Sequence, residues 1–141
     1  MLRATLFHNA HTRLPFEGVA AFYRALNDGA ARAEGNPVFY VSSSPWNLYD
    51  LLVEFLEVRG IPLGPVMLRD WGISSGSPLP TAHGPHKRGH IAQILSFYAD
   101  LPFILIGDSG QEDPEIYRDI VAQHPERVLA IYIRNVARDP L

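Results

Sequence analysis

The sequence contains no cysteine. This excludes a disulfide framework, a zinc site built from thiolates and a thiol nucleophile. No apolar run approaches the roughly 20 residues that a membrane-spanning helix needs. The N-terminal residues, Met1 to His8, also lack the apolar core of a signal peptide. We therefore expect a protein without a transmembrane segment, in a compartment that can be the reducing cytoplasm.

The sequence also has little net charge, −3 at pH 7 over 141 residues. This balance excludes nucleic-acid binding through bulk electrostatic attraction. Hydrophobic residues make up 47% and charged residues 19%, which is ordinary for a globular chain rather than a disordered one. At this length the sequence predicts a single domain, residues 1–141, with the tail 135–141 frayed.

Short apolar runs alternate along the chain with segments of helical periodicity. This alternation predicts a parallel, doubly wound sheet covered by helices on both faces, in a three-layer α/β/α architecture. The predicted order is helix, strand, repeated four times. The helices are expected at about 16–33, from Ser44-Pro45 to Arg59, around 91–98 and from Asp113 onward, and the strands at 37–41, 66–68, 103–106 and 128–133.

The most informative segment is residues 102–117. Its run Phe103–Ile106 is apolar without alternation, as expected for a strand buried on both faces, and Gly107 ends it. Asp113 followed by proline predicts an N-cap and the start of a helix. Asp108 and Asp113 are therefore expected at the carboxyl end of a strand, where open α/β sheets bind their ligands.

Two further polar segments are predicted at the same edge of the sheet. The run 42–47, Ser-Ser-Ser-Pro-Trp-Asn, follows the first predicted strand, and Lys87 is expected just before the third helix. A Gly/Ser/Pro-rich loop is predicted over 72–85. The carboxyl ends of parallel strands meet at one edge, so these segments should face a common crevice.

Taken in order, Ser42, Lys87, Asp108 and Asp113 resemble the motifs of the haloacid dehalogenase superfamily. Those motifs are a Ser or Thr that closes a strand, then a Lys, then a strand that ends in Gly-Asp-x4-Asp. Three longer strings resemble one branch, the actin-patch-associated phosphatidate phosphatase family related to the lipins. They are Tyr-Val-Ser-Ser-Ser-Pro-Trp-Asn-Leu-Tyr-Asp, Leu-Arg-Asp-Trp-Gly and Ile-Gly-Asp-Ser-Gly-Gln-Glu-Asp-Pro-Glu-Ile-Tyr, and the resemblance covers about 13–134.

The resemblance implies a magnesium-dependent phosphatase that acts through an aspartyl-phosphate intermediate. Asp108 would be a ligand of Mg²⁺, because magnesium prefers hard oxygen ligands. Asp113 would bind the metal through water or hold its neighbours in place. Lys87 would offset the charge of the phosphate, and Ser42 and Ser43 would donate hydrogen bonds to it.

One part of the family pattern is missing. The superfamily carries its nucleophile and general acid in an Asp-x-Asp-x-Thr/Val motif at the end of the first strand, and no Asp-x-Asp occurs here. The resemblance therefore implies a chain truncated at its N-terminus that lacks the first central strand. We expect such a chain to be inactive alone, and we expect its exposed sheet edges to favour homo-oligomers.

The sequence leaves other interpretations open. One helix, one strand and one loop fill the stretch between Ser42 and Lys87, so no cap domain fits there. An uncapped site suits a phospholipid headgroup or a phosphoprotein.

The alternative function is a non-catalytic phosphate- or protein-binding module on the same fold. A receiver-like domain ranks last. Asp108 could also be an ordinary turn residue and Asp113 an ordinary helix N-cap. Lys87 could be a lysine exposed to solvent. Trp46 and Trp71 fit either a lipid-facing rim or buried packing.

Overall fold

The computed structural model describes residues 4–8, 18–32, 35–69 and 83–136, with the backbone alone for 4–8, 43–45, 69 and 83–86. Five strands and four helices are found in these ranges. The strands are β1 (Ala4–His8), β2 (Val38–Pro45), β3 (Val66–Arg69), β4 (Phe103–Asp108) and β5 (Val128–Arg134). The helices are α1 (Val19–Asp28), α2 (Tyr49–Val58), α3 (His83–Phe97) and α4 (Asp113–Gln123), and a 3₁₀ turn, Trp46–Leu48, precedes α2.

The strands form one parallel sheet in the order β3-β2-β1-β4-β5. The chain builds the sheet outward from β1 to β3 and then returns to place β4 on the other side of β1. The strand order therefore reverses direction between β1 and β4, and the carboxyl ends of strands at such a reversal are the usual ligand position in doubly wound sheets. The predicted α/β class with a doubly wound parallel sheet is confirmed.

The expectation that the sheet lacks its first central strand is wrong. Residues 4–8 occupy the central position: Thr5 is paired with Val38 of β2 and with Ile104 of β4. Backbone groups on both sides of β1 are satisfied by its neighbours, so β2 and β4 do not present open edges to each other. The first element that the structure describes is thus a strand and not a helix. The strand ends at His8, and the sequence still contains no Asp-x-Asp.

Two apolar layers cover the sheet because successive strand residues point to opposite faces. On one face Phe39, Phe103 and Leu105 pack under α3 and α4. On the other face Tyr40 and Ile104 pack under α1 and α2. All six residues of β4 are buried, as its uninterrupted apolar run predicts for a strand covered on both sides.

Several element boundaries differ from the prediction. Strand β2 continues through Pro45, and α2 begins at Tyr49, so Ser44 does not cap that helix. Helix α3 begins at His83, which places Lys87 inside its first turns rather than ahead of it. Helix α1 is shorter than predicted, ending at Asp28. Residues 70–82, which hold most of the predicted loop and Trp71, lie outside the described residues.

The two edge strands of the sheet are β3 and β5. In β5, Leu129, Ile131, Tyr132 and Ile133 are exposed, so the strand is only partly covered. No helix in the described ranges is long and apolar enough to cross a membrane.

One partly buried cation links the end of α3 to the turn that leads into β4. Arg127, just before β5, donates hydrogen bonds to the carbonyl oxygens of Leu95, Tyr98 and Leu101, at 3.1, 2.6 and 3.2 Å. These carbonyls belong to the end of α3 and to the turn that leads into β4. The guanidinium also lies 5.8 Å from the ring centroid of Phe103. Arg127 therefore closes α3 where its last carbonyls lack partners within the helix.

We expect Arg127→Leu to lower the free energy of unfolding by about 2 kcal/mol, because three carbonyls lose a charged donor. Arg118→Leu is the matched control: Arg118 is exposed on α4 and pairs only at 3.7 Å with its neighbour Asp119. We expect the control to change stability by less than about 0.5 kcal/mol. Urea unfolding followed by circular dichroism measures both, and equal effects would contradict the role assigned to Arg127.

Candidate active site

The candidate site lies where β4 ends at the carboxyl edge of the sheet. Asp108 is the last residue of β4, and Asp113 is the first residue of α4. Both carboxylates are buried, with side chains 5% and 0% exposed. The four residues between them form the connection from strand to helix, so the spacing Asp-x4-Asp folds the two side chains toward one another.

Each of the two carboxylates accepts a hydrogen bond from a nearby backbone amide. The amide N–H of Asp108 donates to Oδ2 of Asp113 at 2.9 Å. The amide N–H of Gly110 donates to Oδ1 of Asp108 at 2.8 Å. The second bond is the turn that an aspartate commonly makes two residues along the chain. Asp108 is thus a turn residue, as one interpretation of the sequence has it, and the turn holds its carboxylate at the carboxyl end of β4.

The prediction that Asp113 caps α4 is wrong. The cap position is Glu112, without a side-chain cap bond, and Asp113 is the first residue within the helix. The carboxylate of Asp113 instead accepts a hydrogen bond from the amide of Asp108 at the end of β4. Pro114 lies in the first turn, as the sequence predicts.

Gly107 permits this arrangement by having no side chain. A Cβ atom at position 107 would lie 2.7 Å from Oδ2 and 2.8 Å from Cβ of Asp113. Both distances are shorter than van der Waals contact, and both involve a side chain without room to retreat. The glycine of the Gly-Asp-x4-Asp pattern is therefore required by the close approach of Asp113 to the strand.

Lys87 reaches the same point from α3. Its Nζ lies 3.5 Å from Oδ1 of Asp113, and both side chains are buried, 1% and 0% exposed. Nζ also donates a hydrogen bond to Oε1 of Gln111. Burial lowers the pKa of Lys87 below its ordinary value, while the carboxylates of Asp113, Asp108 and Glu112 act in the opposite direction. The prediction of a merely solvated lysine is wrong.

Beneath the aspartates, Tyr117 supports the end of β4. Its hydroxyl donates to the carbonyl oxygen of Ile106 at 2.7 Å, and the ring is completely buried. Burial raises the pKa of Tyr117 well above its ordinary value, and the nearby charge of Asp113 adds to the effect. The hydroxyl thus stays protonated and remains a hydrogen-bond donor to the strand.

Ser42 lies on β2, one residue beyond Val41, which pairs with His8 of β1. The side chain of Ser42 is buried. Since β1 separates β2 from β4, Ser42 is two strand spacings, roughly 10 Å, across the sheet from β4. Ser43 follows on the same strand, and its side chain lies outside the described part of the structure.

The structure therefore brings Lys87, Asp108 and Asp113 into one cluster and places Ser42 farther along the same edge. Two residues of the site were not predicted from the sequence. Gln111 accepts a hydrogen bond from Lys87, and Tyr117 donates one to Ile106 of β4. The position of Gln111 between the two aspartates is the only signal that could have found it. Its contact with a lysine 24 residues away depends on tertiary packing.

The donor chemistry suits magnesium in part. Mg²⁺ in proteins is commonly bound by one or two carboxylates together with water and substrate phosphate. Asp108 and Asp113 supply two carboxylates, and no cluster of three or more His, Cys, Asp or Glu side chains suited to a metal occurs among the described residues. Both oxygens of Asp113 already accept contacts, from Lys87 and from the amide of Asp108. Oδ1 of Asp108 accepts from the amide of Gly110, so both carboxylates are already held in place by donors.

Comparison with known proteins identifies the family. The family model for the catalytic domain of phosphatidate phosphatase APP1 matches residues 1–135 of this chain. The chain belongs to this family. It is 34% identical over 134 residues to phosphatidate phosphatase APP1 of Saccharomyces cerevisiae, covering 95% of this chain and 22% of that protein.

A second relative is an uncharacterized protein of Schizosaccharomyces pombe. It is 33% identical over 125 residues, which cover 87% of this chain and 20% of that protein. The chain thus spans about a fifth of the length of the curated relatives it matches. The family match includes Ser42, Lys87, Asp108 and Asp113, which confirms the family resemblance that these residues indicate.

We expect Gly107→Ala to lower the free energy of unfolding by about 1–3 kcal/mol, because the new methyl group overlaps the carboxylate of Asp113. The control is Gly89→Ala, in α3, where an added Cβ meets nothing within 4 Å. That change should raise stability by about 0.5–1 kcal/mol, since alanine is the better helix former. Urea unfolding distinguishes the two signs, and a neutral Gly107→Ala would refute the close-approach argument.

We expect Lys87→Met to lower the free energy of unfolding by about 3 kcal/mol, because it leaves a buried carboxylate without its cation. Lys87→Met combined with Asp113→Asn should cost less than the two single changes added together. A double-mutant cycle from urea unfolding measures this coupling. Strictly additive effects would show that the two groups do not interact.

Proposed function

We propose that this domain is a phosphomonoesterase module of phosphatidate phosphatase type, which binds a phosphate group together with Mg²⁺ at the carboxyl edge of its sheet. The observation that carries the proposal is the cluster of Lys87, Asp108 and Asp113, which brings together a cation that suits phosphate and two carboxylates that suit magnesium. Membership of the APP1 catalytic-domain family supports the substrate class, a phosphomonoester such as phosphatidate.

In this proposal Asp108 binds the metal. Its carboxylate is held at the mouth of the crevice by the amide of Gly110. Mg²⁺, when bound, supplies positive charge that draws the phosphate oxygens toward the site and offsets their charge. Asp113 positions the other groups, since its oxygens orient Lys87 and the end of β4.

Lys87 balances the negative charge of the phosphate in the same proposal. Its ammonium is held by Asp113 and Gln111, so it requires little further ordering when a ligand arrives. Desolvation of a charge makes its interaction with an anion stronger than it is in water. Ser42, on β2, would donate its hydroxyl to a phosphate oxygen from the other side of β1.

The chain itself provides no aspartate pair to accept the phosphoryl group, because no Asp-x-Asp occurs in the sequence. We therefore propose that these 141 residues bind phosphate without releasing it from an ester. The same observation favours the second candidate function, a phosphate-binding module that keeps the fold without turnover. The two differ in whether an Asp-x-Asp-x-Thr strand, when supplied, restores hydrolysis.

Calorimetric titration with inorganic phosphate, with and without MgCl₂, tests the proposed binding. We expect magnesium-dependent binding that Asp108→Asn weakens by about tenfold or more, as for loss of a metal ligand. Asp119→Asn is the matched control, because Asp119 is a carboxylate on α4 that pairs with Arg88 outside the site. Phosphate binding that does not depend on Mg²⁺ would contradict the proposed site. So would an equal loss of binding in Asp108→Asn and Asp119→Asn.

Phosphate release from phosphatidate and from an aryl phosphate separates the two candidate functions. We expect none from this chain and magnesium-dependent release when a segment carrying Asp-x-Asp-x-Thr is added at its N-terminus. Release in the longer chain that Asp108→Asn abolishes supports the phosphatase. Phosphate binding without release in either chain supports the binding module.

A further inference from the structure

The connection from β2 to α2 carries two exposed aromatic side chains at the rim of the site. Trp46 is 48% exposed and Tyr49 is 40% exposed, and their ring centroids lie 5.9 Å apart. They follow Pro45, the last residue of β2, so they lie at the carboxyl edge of the sheet. Asp108, which ends β4, lies at this same edge.

A third exposed apolar side chain lies on the other flank of the site. Val136, which follows β5, is 37% exposed, and its amide N–H donates to Oγ of Ser109 at 2.9 Å. This bond holds Val136 beside the loop that leaves Asp108. In the observed strand order, β2 and β5 flank β1 and β4, three strand spacings or roughly 14 Å apart. The site therefore lies between the two apolar groups.

The chemistry of these side chains suits a boundary between water and lipid. Tryptophan and tyrosine combine an apolar ring with a polar N–H or O–H group, and both are enriched where membranes meet water. A single exposed apolar residue would need no explanation. Here an aromatic pair and a valine lie on one edge, on either side of the proposed phosphate site.

We propose that this apolar rim, Trp46, Tyr49 and Val136, docks the domain on a phospholipid bilayer so that the site faces the lipid headgroups. The inference rests on the proposed function, because a substrate of the phosphatidate type presents its phosphate at the bilayer surface. A site at the sheet edge reaches that phosphate only if this edge lies against the membrane. The rim supplies contacts on both sides of the site in that orientation.

The charge of the rim indicates how the contact is made. Among the described residues next to the rim, 46–50, 109–112 and 135–136, none is Lys or Arg, and Asp50 and Glu112 are exposed acids. Arg134, which ends β5 beside them, is partly buried. Attraction between basic residues and anionic lipid is therefore not what would drive binding at the rim. Burial of the two aromatic rings and of Val136 in the bilayer would drive it, so docking should depend weakly on salt concentration.

Tryptophan fluorescence tests the docking directly, since the chain has two tryptophans, Trp46 and Trp71. In Trp71→Phe the emission reports Trp46 alone. The probe is vesicles of phosphatidylcholine with a minor fraction of phosphatidate, with and without bromine on the acyl chains. We expect a blue shift and quenching by the brominated lipid, both retained in high salt.

The affinity for vesicles is measured by co-sedimentation of the chain with its native tryptophans. We expect Tyr49→Ala with Val136→Asp to weaken binding by about tenfold, through lost apolar contact. Phe97→Ala is the matched control: Phe97 is 73% exposed but ends α3, at the opposite edge of the sheet. The control should bind as the unchanged chain does.

Each result decides for or against the rim. Absence of quenching, an equal loss of binding in Phe97→Ala, or binding that disappears in high salt overturns the proposal. Calorimetric titration with phosphate and Mg²⁺, without vesicles, keeps the two proposals apart. If the chain does not bind phosphate but brominated lipid still quenches Trp46, the proposed function is refuted. If the chain binds phosphate but brominated lipid does not quench Trp46, the docking rim is refuted.

Discussion

The hydrogen bond from the amide of Asp108 to the carboxylate of Asp113 is the interaction on which the candidate site depends. It bends the connection between β4 and α4 so that both carboxylates lie at one point. It requires Gly107, because any side chain there would occupy the space of Asp113. It also fixes the carboxylate that holds Lys87 of α3. One short segment thus joins a strand, two helices and the charges of the site.

The groups around this interaction are buried, so removing one partner from them is costly. Water is excluded from Asp113 and Lys87, so each charge depends on its partner and on the backbone donors around it. A buried ion pair of this kind contributes little net stability compared with apolar packing, but it specifies one arrangement of its groups. Such an arrangement is what a binding site for a small anion and a metal needs.

The buried strand β4 and the polar residues that end it were predictable from local patterns and motif order. The uninterrupted run Phe103–Ile106 indicates a fully covered strand, and β4 is buried throughout. The motif order Ser42, Lys87, Asp108, Asp113 indicates the family, which the match over residues 1–135 confirms. The role of Asp113 as a cap was predicted wrongly, because the local rule considers only amides of the helix, whereas the folded chain brings the amide of Asp108 within 2.9 Å of the Asp113 carboxylate.

The central position of residues 4–8 could not be derived from their sequence. Five residues of mixed polarity carry little strand signal, and their pairing with β2 and β4 satisfies backbone groups that only the assembled sheet presents. Periodicity and motif spacing were sufficient to establish the layered α/β class and the polar groups at one sheet edge, because both follow from the chain's own local geometry. The contact of Gln111 with Lys87, the exposure of Trp46 and the place of β1 depend on packing between distant segments, whose geometry exists only in the folded chain.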